Sequence, residues 1–336
     1  MNHTLRIGSR KSMLALRQAK IIAAQLQARF PGLKTEILTR DTLGDQILHS
    51  PLQAFGGKGV FVSEFEQALL EGSIDLAVHS AKDMPTELPD GLTLSALSER
   101  EDPRDVLVLP AGRGAAEKKE IVIGTSSPRR QLQILDLWEE ICPAAGAFDP
   151  ESILIRGESL NQESPPTCRT LRGNVQTRLK KLADGEYDAI LLAAAGLKRL
   201  GLEEGNKYRF LYLDPRRFLP AGGQGILAVE TKAGSRADQL CRAIDCSISR
   251  LCLEAERGVL KALNAGCHAP VAVYAVPWKG AEPGLHIRGI SGPESLLCMD
   301  PLQRKKHTRR VDLRGGGSDK EITRLVHAAG KGLTGI

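Results

Sequence analysis

Lys82 and Asp83 stand side by side in LAVHSAKDMP, residues 76–85. The segment opens as an apolar run that reads as a buried strand, and Pro85 stops it. A carboxylate beside an ammonium at the exit of a buried strand is costly to place and is held rigidly. In an open α/β sheet, ligands bind beyond the carboxyl ends of the strands, which makes Asp83 the first candidate for a catalytic group. An Asp near a Pro is also a common turn residue, and this segment alone leaves both readings open.

A second set of residues suits anions. Arg6, Arg10, Lys82, Arg129, Arg130, Arg172 and Arg178 fall on or near expected loops at one end of the strands. RIGSRKS at 6–12 and VIGTSSPRR at 122–130 share one pattern: strand, glycine, hydroxyl residues, arginine, helix. Each sets backbone N–H groups, hydroxyls and guanidinium groups at a helix N-terminus, which is an anion site. Several guanidinium groups together suit a ligand with many carboxylates or phosphates, although any one arginine alone reads equally well as a solvated helix residue. Asp83 among these cations is pulled down in pKa by charge and up by burial. Cys267 follows an expected helix end, where the dipole disfavours a thiolate. A structural thiol is the ordinary fate of such a residue, whereas its glycine-flanked loop points to exposure and attachment.

The elements that must hold these groups are α/β. Thr4 to Gly8 reads as a strand, a helix starts near the good N-cap Ser12, and Thr35 to Thr39 is the next strand. Its apolar face is Leu14, Leu16, Ala19, Ile22, Ala23, Leu26 and Phe30. That βαβ unit predicts a largely parallel sheet. Residues 40–59 form a loop around GGKG, read either as a lid near an anionic ligand or as a plain surface loop. A helix over 60–71 and a strand over 74–79 lead to Asp83. Strands are expected at Val106–Leu109 and Ile121–Gly124, then a helix to about Trp138. GSIDLAVHSAKD at 72–83 is echoed by GEYDAILLAAAGLKR at 185–199. The two echoes imply two similar α/β lobes facing each other across a cleft, on a short internal match. Residues 141–168 read as an inserted loop with one strand candidate, 153–155, and residues 200–220 read as irregular. Ala221 to Gly225 is a glycine hinge, and Ile226 to Glu230 is a strand returning to the first lobe. The expected boundaries are 1–101 with 226–244, then 104–220, then 247–336 as a small α+β domain. In that domain the run RKKHTRR at 304–310 is a solvated strand or turn face.

Bulk composition narrows the function. With 336 residues, 42% hydrophobic and 26% charged, the chain has the make-up of a soluble multidomain protein. Aromatics at 4% argue against base-stacking surfaces, and a net charge of +6 is too small for a nucleic-acid binder. The seven cysteines lack paired metal spacing, so no metal site is expected. The start MNHTLRIGSRK carries no apolar signal core and no stretch reaches the length of a membrane span, so a reduced cytoplasmic setting is expected.

LRIGSRKSMLAL, GGKGVF, DLAVHSAKDMP, EREDPRDV, IGTSSPRRQ, LRGNVQTRL, YDAILLAAAGLKRL, LPAGGQG and NAGCHAPV, in this order, closely resemble the porphobilinogen deaminase (hydroxymethylbilane synthase) family over about residues 4–276. The resemblance implies two periplasmic-binding-protein-like lobes around a cleft plus a small C-terminal α+β domain. It implies a monomeric transferase that joins four porphobilinogen molecules head to tail with release of ammonia, then frees the linear tetrapyrrole with water. It also implies a dipyrromethane cofactor bound by a thioether to Cys267. Asp83 and Lys82 would be the catalytic residues, with Asp83 steadying the azafulvenium cation formed on deamination and the pyrrole N–H groups and helping proton transfer. Arg10, Ser12, Lys82, Thr125, Ser126, Ser127, Arg129, Arg130, Arg172 and Gly173 would hold cofactor carboxylates. Arg10, Arg172, Arg178, Arg199 and Gln224 would hold substrate. Ala54 and Phe55 stand where many members carry a lysine, which puts lid contacts in doubt rather than the chemistry. The rival is a non-catalytic two-lobed anion-binding protein, which explains the arginines and the hinge but not the Cys267 loop.

Overall fold

A computed structural model of the chain describes residues 4–40, 62–111, 121–141, 166–203, 207–265, 269–279, 283–316 and 318–334. It opens with β1 (Leu5–Arg10), α1 (Met13–Arg29) and β2 (Thr35–Arg40). Ser12 caps α1, its Oγ accepting from the Ala15 N–H at 3.3 Å. Ala19, Ile22 and Leu26 pack on Leu5, Ile7 and Leu76. The predicted apolar face is corrected at its start: Ala15 is buried, while Leu14 is only half-buried and lies 3.6 Å from where a side chain at Gly196 would begin. The first turn of α1 thus serves the contact between lobes rather than its own sheet.

Next come α2 (Ser63–Leu70), β3 (Leu76–Ser80) and β4 (Leu92–Leu97). The chain then crosses to β5 (Asp105–Pro110), β6 (Val122–Gly124), α3 (Pro128–Asp136), β7 (Thr167–Arg169), α4 (Val175–Ala183), β8 (Ala189–Ala193), α5 (Ala194–Leu200) and β9 (Tyr208–Tyr212). It crosses back to β10 (Leu227–Lys232) and α6 (Arg236–Arg242). The first sheet runs β2-β1-β3-β10-β4 and the second β7-β6-β8-β5-β9. These orders are one topology used twice: second strand, first, third, an antiparallel strand from a crossing, then an edge. β10 pairs antiparallel with β3, and β5 pairs antiparallel with both β8 and β9. The expectation of a largely parallel sheet therefore holds for three strands of each lobe and fails where the chain crosses between lobes.

Three further readings change. Residues 208–212, expected to be irregular, form β9, since Tyr208, Phe210 and Tyr212 pack against the second core. Residues 167 and 168, assigned to the end of the inserted loop, form β7 together with Arg169 and pair parallel with β6. The basic run at 304–310 is the end of a helix and the start of a strand. The loop read as a lid, apart from Arg40, lies outside the described residues, and so does the strand candidate at 153–155.

The last part comprises α7 (Ser247–Ala262), β11 (Ala272–Lys279), β12 (Pro283–Ser291), α8 (Pro301–His307), β13 (Arg309–Gly315) and α9 (Asp319–Thr334). Its strands form an antiparallel sheet, β11-β12-β13, with Val259, Val273, Ile287 and Ala329 sharing one core with α7 and α9. Glu256 of α7, fully buried, takes an ion pair from Arg100 at 2.9 Å and backbone hydrogen bonds from Gly223 and Ala275. That carboxylate ties the third sheet to both crossings. Among the described residues no helix is long and apolar enough to cross a membrane.

Candidate active site

The site forms where β1, β3 and β6 end and the crossings pass between the sheets. β3 leaves its sheet in a single tight turn, Ala81–Asp83. Ala81 is buried and its N–H donates to the Ile226 carbonyl at 3.0 Å, so the turn is stitched to the returning strand. Gly223 permits that approach. Its φ is +76°, and a Cβ there would lie 3.0 Å from the Lys82 nitrogen. Lys82 is thereby aimed inward and Asp83 outward, where it is exposed.

Asp83 lines a small pocket with Arg10, Ser12, Gln18, His79 and Ser80. Lys82 donates to Gln224 Oε1 at 3.4 Å, and Gln224 Nε2 donates to Asp105 Oδ1 at 3.2 Å and to the Pro103 carbonyl at 2.7 Å. Asp105 receives Arg129 Nη1 at 2.6 Å and Arg130 Nη2 at 2.7 Å. One continuous chain of polar contacts therefore runs from the Asp83 turn into the second lobe. Burial pushes the Asp105 carboxyl up, but Arg129 and Arg130 overcome it and hold it well below the usual carboxylate range.

Arg129 and Arg130 are buried and committed to protein groups. Arg129 also donates to the Leu219 carbonyl at 2.6 Å, and Arg130 to the Leu191 carbonyl at 2.8 Å. Arg178 donates through Nε to the Gly173 carbonyl at 2.7 Å, which leaves its terminal nitrogens for other partners. Arg172 makes no hydrogen bond or ion pair among the described residues. Arg199 donates to the Gly225 carbonyl at 2.6 Å and so faces the hinge. Thr125 accepts from the Ser127 N–H at 3.2 Å, and Ser127 caps α3 by accepting from the Arg130 N–H. Ser126 donates to the Leu171 carbonyl at 2.8 Å and accepts from the Leu171 N–H at 3.1 Å, which clamps the loop that carries Arg172 and Gly173.

The charges are unbalanced. Lys82 keeps only a narrow opening to solvent, and burial holds its ammonium down to about 8; Asp83 and Asp105 raise it, while Arg130 and Arg129 lower it. Arg178 is lowered to about 10, first by burial and then by Arg130 and Arg172, against Asp83. Burial likewise brings Arg199 to about 10, against Glu101. Two carboxylates, Asp83 and Asp105, face Lys82, Arg129, Arg130, Arg172 and Arg178. Burial is the main cause of each depression, and a bound carboxylate would favour the charged forms again. Carboxylates of a bound oligopyrrole fit that need, so the residues present suit the implied dipyrromethane group.

Some sequence readings fall elsewhere. Arg6 is not a cleft residue: it sits at the opposite end of β1 from Arg10 and pairs with Asp75 at 2.9 Å and the Gly72 carbonyl at 2.8 Å. Cys267 and His268 lie outside the described residues. Asp105, His79, Ser80, Gln18 and Glu230 were missed. The last acid of EREDPRDV was the available signal for Asp105, and the inward face of α1 was the signal for Gln18, which donates to Ser80 Oγ at 3.1 Å.

Fold and site together define a two-lobed α/β protein whose crossing strands enclose a cationic site for a small polyanion, with one exposed carboxylate at its mouth. A family model for the porphobilinogen deaminase dipyrromethane cofactor binding domain matches residues 5–150 and 151–239, and one for the porphobilinogen deaminase C-terminal domain matches 250–293. The chain is 45% identical to porphobilinogen deaminase of Chromobacterium violaceum over 280 residues, covering 80% of this chain and 79% of that one. It is 44% identical to that of Ruminiclostridium cellulolyticum over 298 residues, covering 88% and 91%. The periplasmic VFT2 domain of Bordetella pertussis BvgS overlays at a TM-score of only 0.39 with 16% identity, covering 76% of this chain and 90% of that one. The chain belongs to the porphobilinogen deaminase family. It is a transferase of tetrapyrrole biosynthesis with hydroxymethylbilane synthase function, and it carries the family's dipyrromethane cofactor binding domain.

Proposed function

We propose that the cleft between the two sheets is where porphobilinogen units are joined, with Asp83 as the carboxylate that steadies positive charge on each incoming substrate. The single observation behind this is the charge pattern: five cations, three of them depressed, and one exposed carboxylate at the end of β3. Each pyrrole brings two carboxylates, so a growing chain needs a cationic wall. The carbon–nitrogen bond of the substrate breaks as ammonia leaves, and the resulting cation needs a negative group close by. Asp83, exposed at the pocket, supplies it.

Within this reading Arg10, Ser12, Lys82, Arg172, Gly173 and Arg178 hold carboxylates directly. Thr125, Ser126, Ser127, Arg129 and Arg130 shape the wall, and Gln224 and Arg199 join it to the hinge. When bound, the cofactor supplies the pyrrole carbon to which the first substrate is joined. Cys267, which falls between α7 and β11 in sequence, is its attachment point. The lobes run over 1–101 with 226–244 and over 104–220, with the third domain at 247–336. The protein works as a cytoplasmic monomer.

Asp83→Ala tests the assignment. We expect a folded protein that retains its covalent cofactor, with turnover reduced at least about a hundredfold. Turnover near that of the parent chain would remove Asp83 from the chemistry.

A further inference from the structure

Behind the pocket lies a charged cluster that the reading above does not use. His79 of β3 lines the pocket beside Asp83 and Arg10. Its Nε2 lies 3.1 Å from Glu230 Oε2, and Glu230 on β10 is fully buried. The other carboxylate oxygen, Glu230 Oε1, has no hydrogen-bond partner among the described residues. The His79 ring meets the edge of Phe65 at 5.8 Å between centroids, with the planes at 80°. Glu66 on α2 adds a second carboxylate; burial raises its pKa, and Glu230 raises it further against His79. A half-satisfied buried carboxylate is a costly thing to keep next to an apolar ring. With Glu230 ionised, Nε2 carries the ring proton and Nδ1 is left as an acceptor.

We propose that His79, oriented by Glu230, is the proton acceptor of the condensation. The inference rests on the cleft being the reaction site. In each joining step the substrate's aminomethyl group, entering as its ammonium, loses its C–N bond, and nitrogen leaves with the electron pair as ammonia. A C–C bond forms to the α-carbon of the pyrrole being extended. That carbon's C–H bond then breaks, its electrons return to the ring, and its proton must go to a base. Asp83 is a poor choice, because protonation would cancel the charge that steadies the cation. His79 Nδ1 takes the proton, Glu230 balances the imidazolium, and the departing ammonia collects the proton and leaves as ammonium. The groups that bias His79 are Glu230 from β10, Glu66 from α2, and Asp83 and Arg10 across the pocket.

The test uses the holoenzyme, and its first readout does not depend on activity. The chain has seven histidines. Selective 15N labelling resolves them, and His79→Gln identifies the resonance of His79. The expected result is an Nε2–H tautomer whose titration coincides with the acid limb of kcat/KM, since that limb reports the free enzyme. Glu230→Gln, which removes the carboxylate that fixes Nε2–H, should change the tautomer that the 15N shifts report and lower kcat/KM. His79→Gln should lower kcat at least about tenfold with KM within twofold and should abolish the acid limb. An acid limb that does not follow the His79 titration, or a His79→Gln chain with kcat within twofold of the parent, would overturn the proposal. Should both variants fail to fold, coincidence or mismatch of the two curves in the parent chain still decides it. Failure of the underlying reading looks different: Asp83→Ala would then be fully active, whereas failure of this proposal alone leaves Asp83→Ala inactive and His79→Gln normal.

Discussion

The two lobes put a buried carboxylate on topologically equivalent strands and treat it in opposite ways. Asp105 on β5 and Glu230 on β10 are each shielded completely from solvent. Asp105 is closed in by two guanidinium groups and the Gln224 amide, so its charge is locked. Glu230 has one imidazole partner, and among the described residues its Oε1 has no hydrogen-bond partner. A buried charge held by arginines is architecture, since an arginine does not titrate near neutral pH. A buried charge held by a histidine is equipment for moving protons. The difference separates a carboxylate that fixes the second lobe's arginines from one that orients a side chain of the pocket.

The largest effect should come from breaking the locked carboxylate. Asp105→Ala leaves two buried guanidinium groups unpaired, and a loss of about 3–5 kcal/mol is expected. Denaturant unfolding measures it. Because the folded pKa of Asp105 is depressed, its stabilisation is full above the ordinary carboxylate range and is lost as pH falls below it. A near-neutral result for Asp105→Ala would mean that the second lobe is not built around this group.

Arg172→Leu sharpens the contrast from the other side. Arg172 has no hydrogen-bond partner among the described residues, so the melting temperature should stay within about 2 °C. Losing one charged contact to a carboxylate should lower kcat/KM about ten- to a hundredfold. A large fall in melting temperature with normal kinetics would make Arg172 a structural residue like Arg129.

A smaller effect concerns Lys82, which bridges the two regions through Gln224. Its folded value near 8 lies below that of an unfolded lysine. Burial of the charged form therefore costs stability below pH 8, and stability rises between about 8 and the unfolded value. Binding of a carboxylate ligand has the opposite sign, because it needs the ammonium. In a Cys267→Ser chain, affinity for porphobilinogen should fall about tenfold as pH climbs through 8, and Lys82→Arg should remove that fall. Calorimetric titration measures both. An affinity flat from pH 7 to 9.5 would take Lys82 out of ligand binding.

Much of this was legible in the sequence, and what was missed has physical causes. The strand that ends at Ser80, the cap at Ser12 and the Pro128 helix start are local signals, set within a few residues. The antiparallel strands β5 and β10 were harder, because their partners lie far off in the chain, at β8 and β3. β7 was hidden at only three residues beside a loop rich in Gly, Pro and Ser. Among site residues, a cluster of arginines was visible but their separate jobs were not. Arg129 and Arg130 differ from Arg172 only through Asp105, which lies 24 residues away from Arg129. Arg6 misled because it and Arg10 share a face of β1 but lie at opposite ends of the strand, and position along the strand decides which end of a sheet a side chain serves. His79 and Glu230 are 151 residues apart, and nothing short of the sheet register reveals that they meet.

Intact mass of the purified chain tests the central claim most directly, since everything rests on an oligopyrrole tethered at the cleft. The account predicts a parent protein heavier than its sequence by two pyrrole units, and a Cys267→Ser protein at its sequence mass. A parent chain with no added mass, or added mass that survives Cys267→Ser, would contradict it.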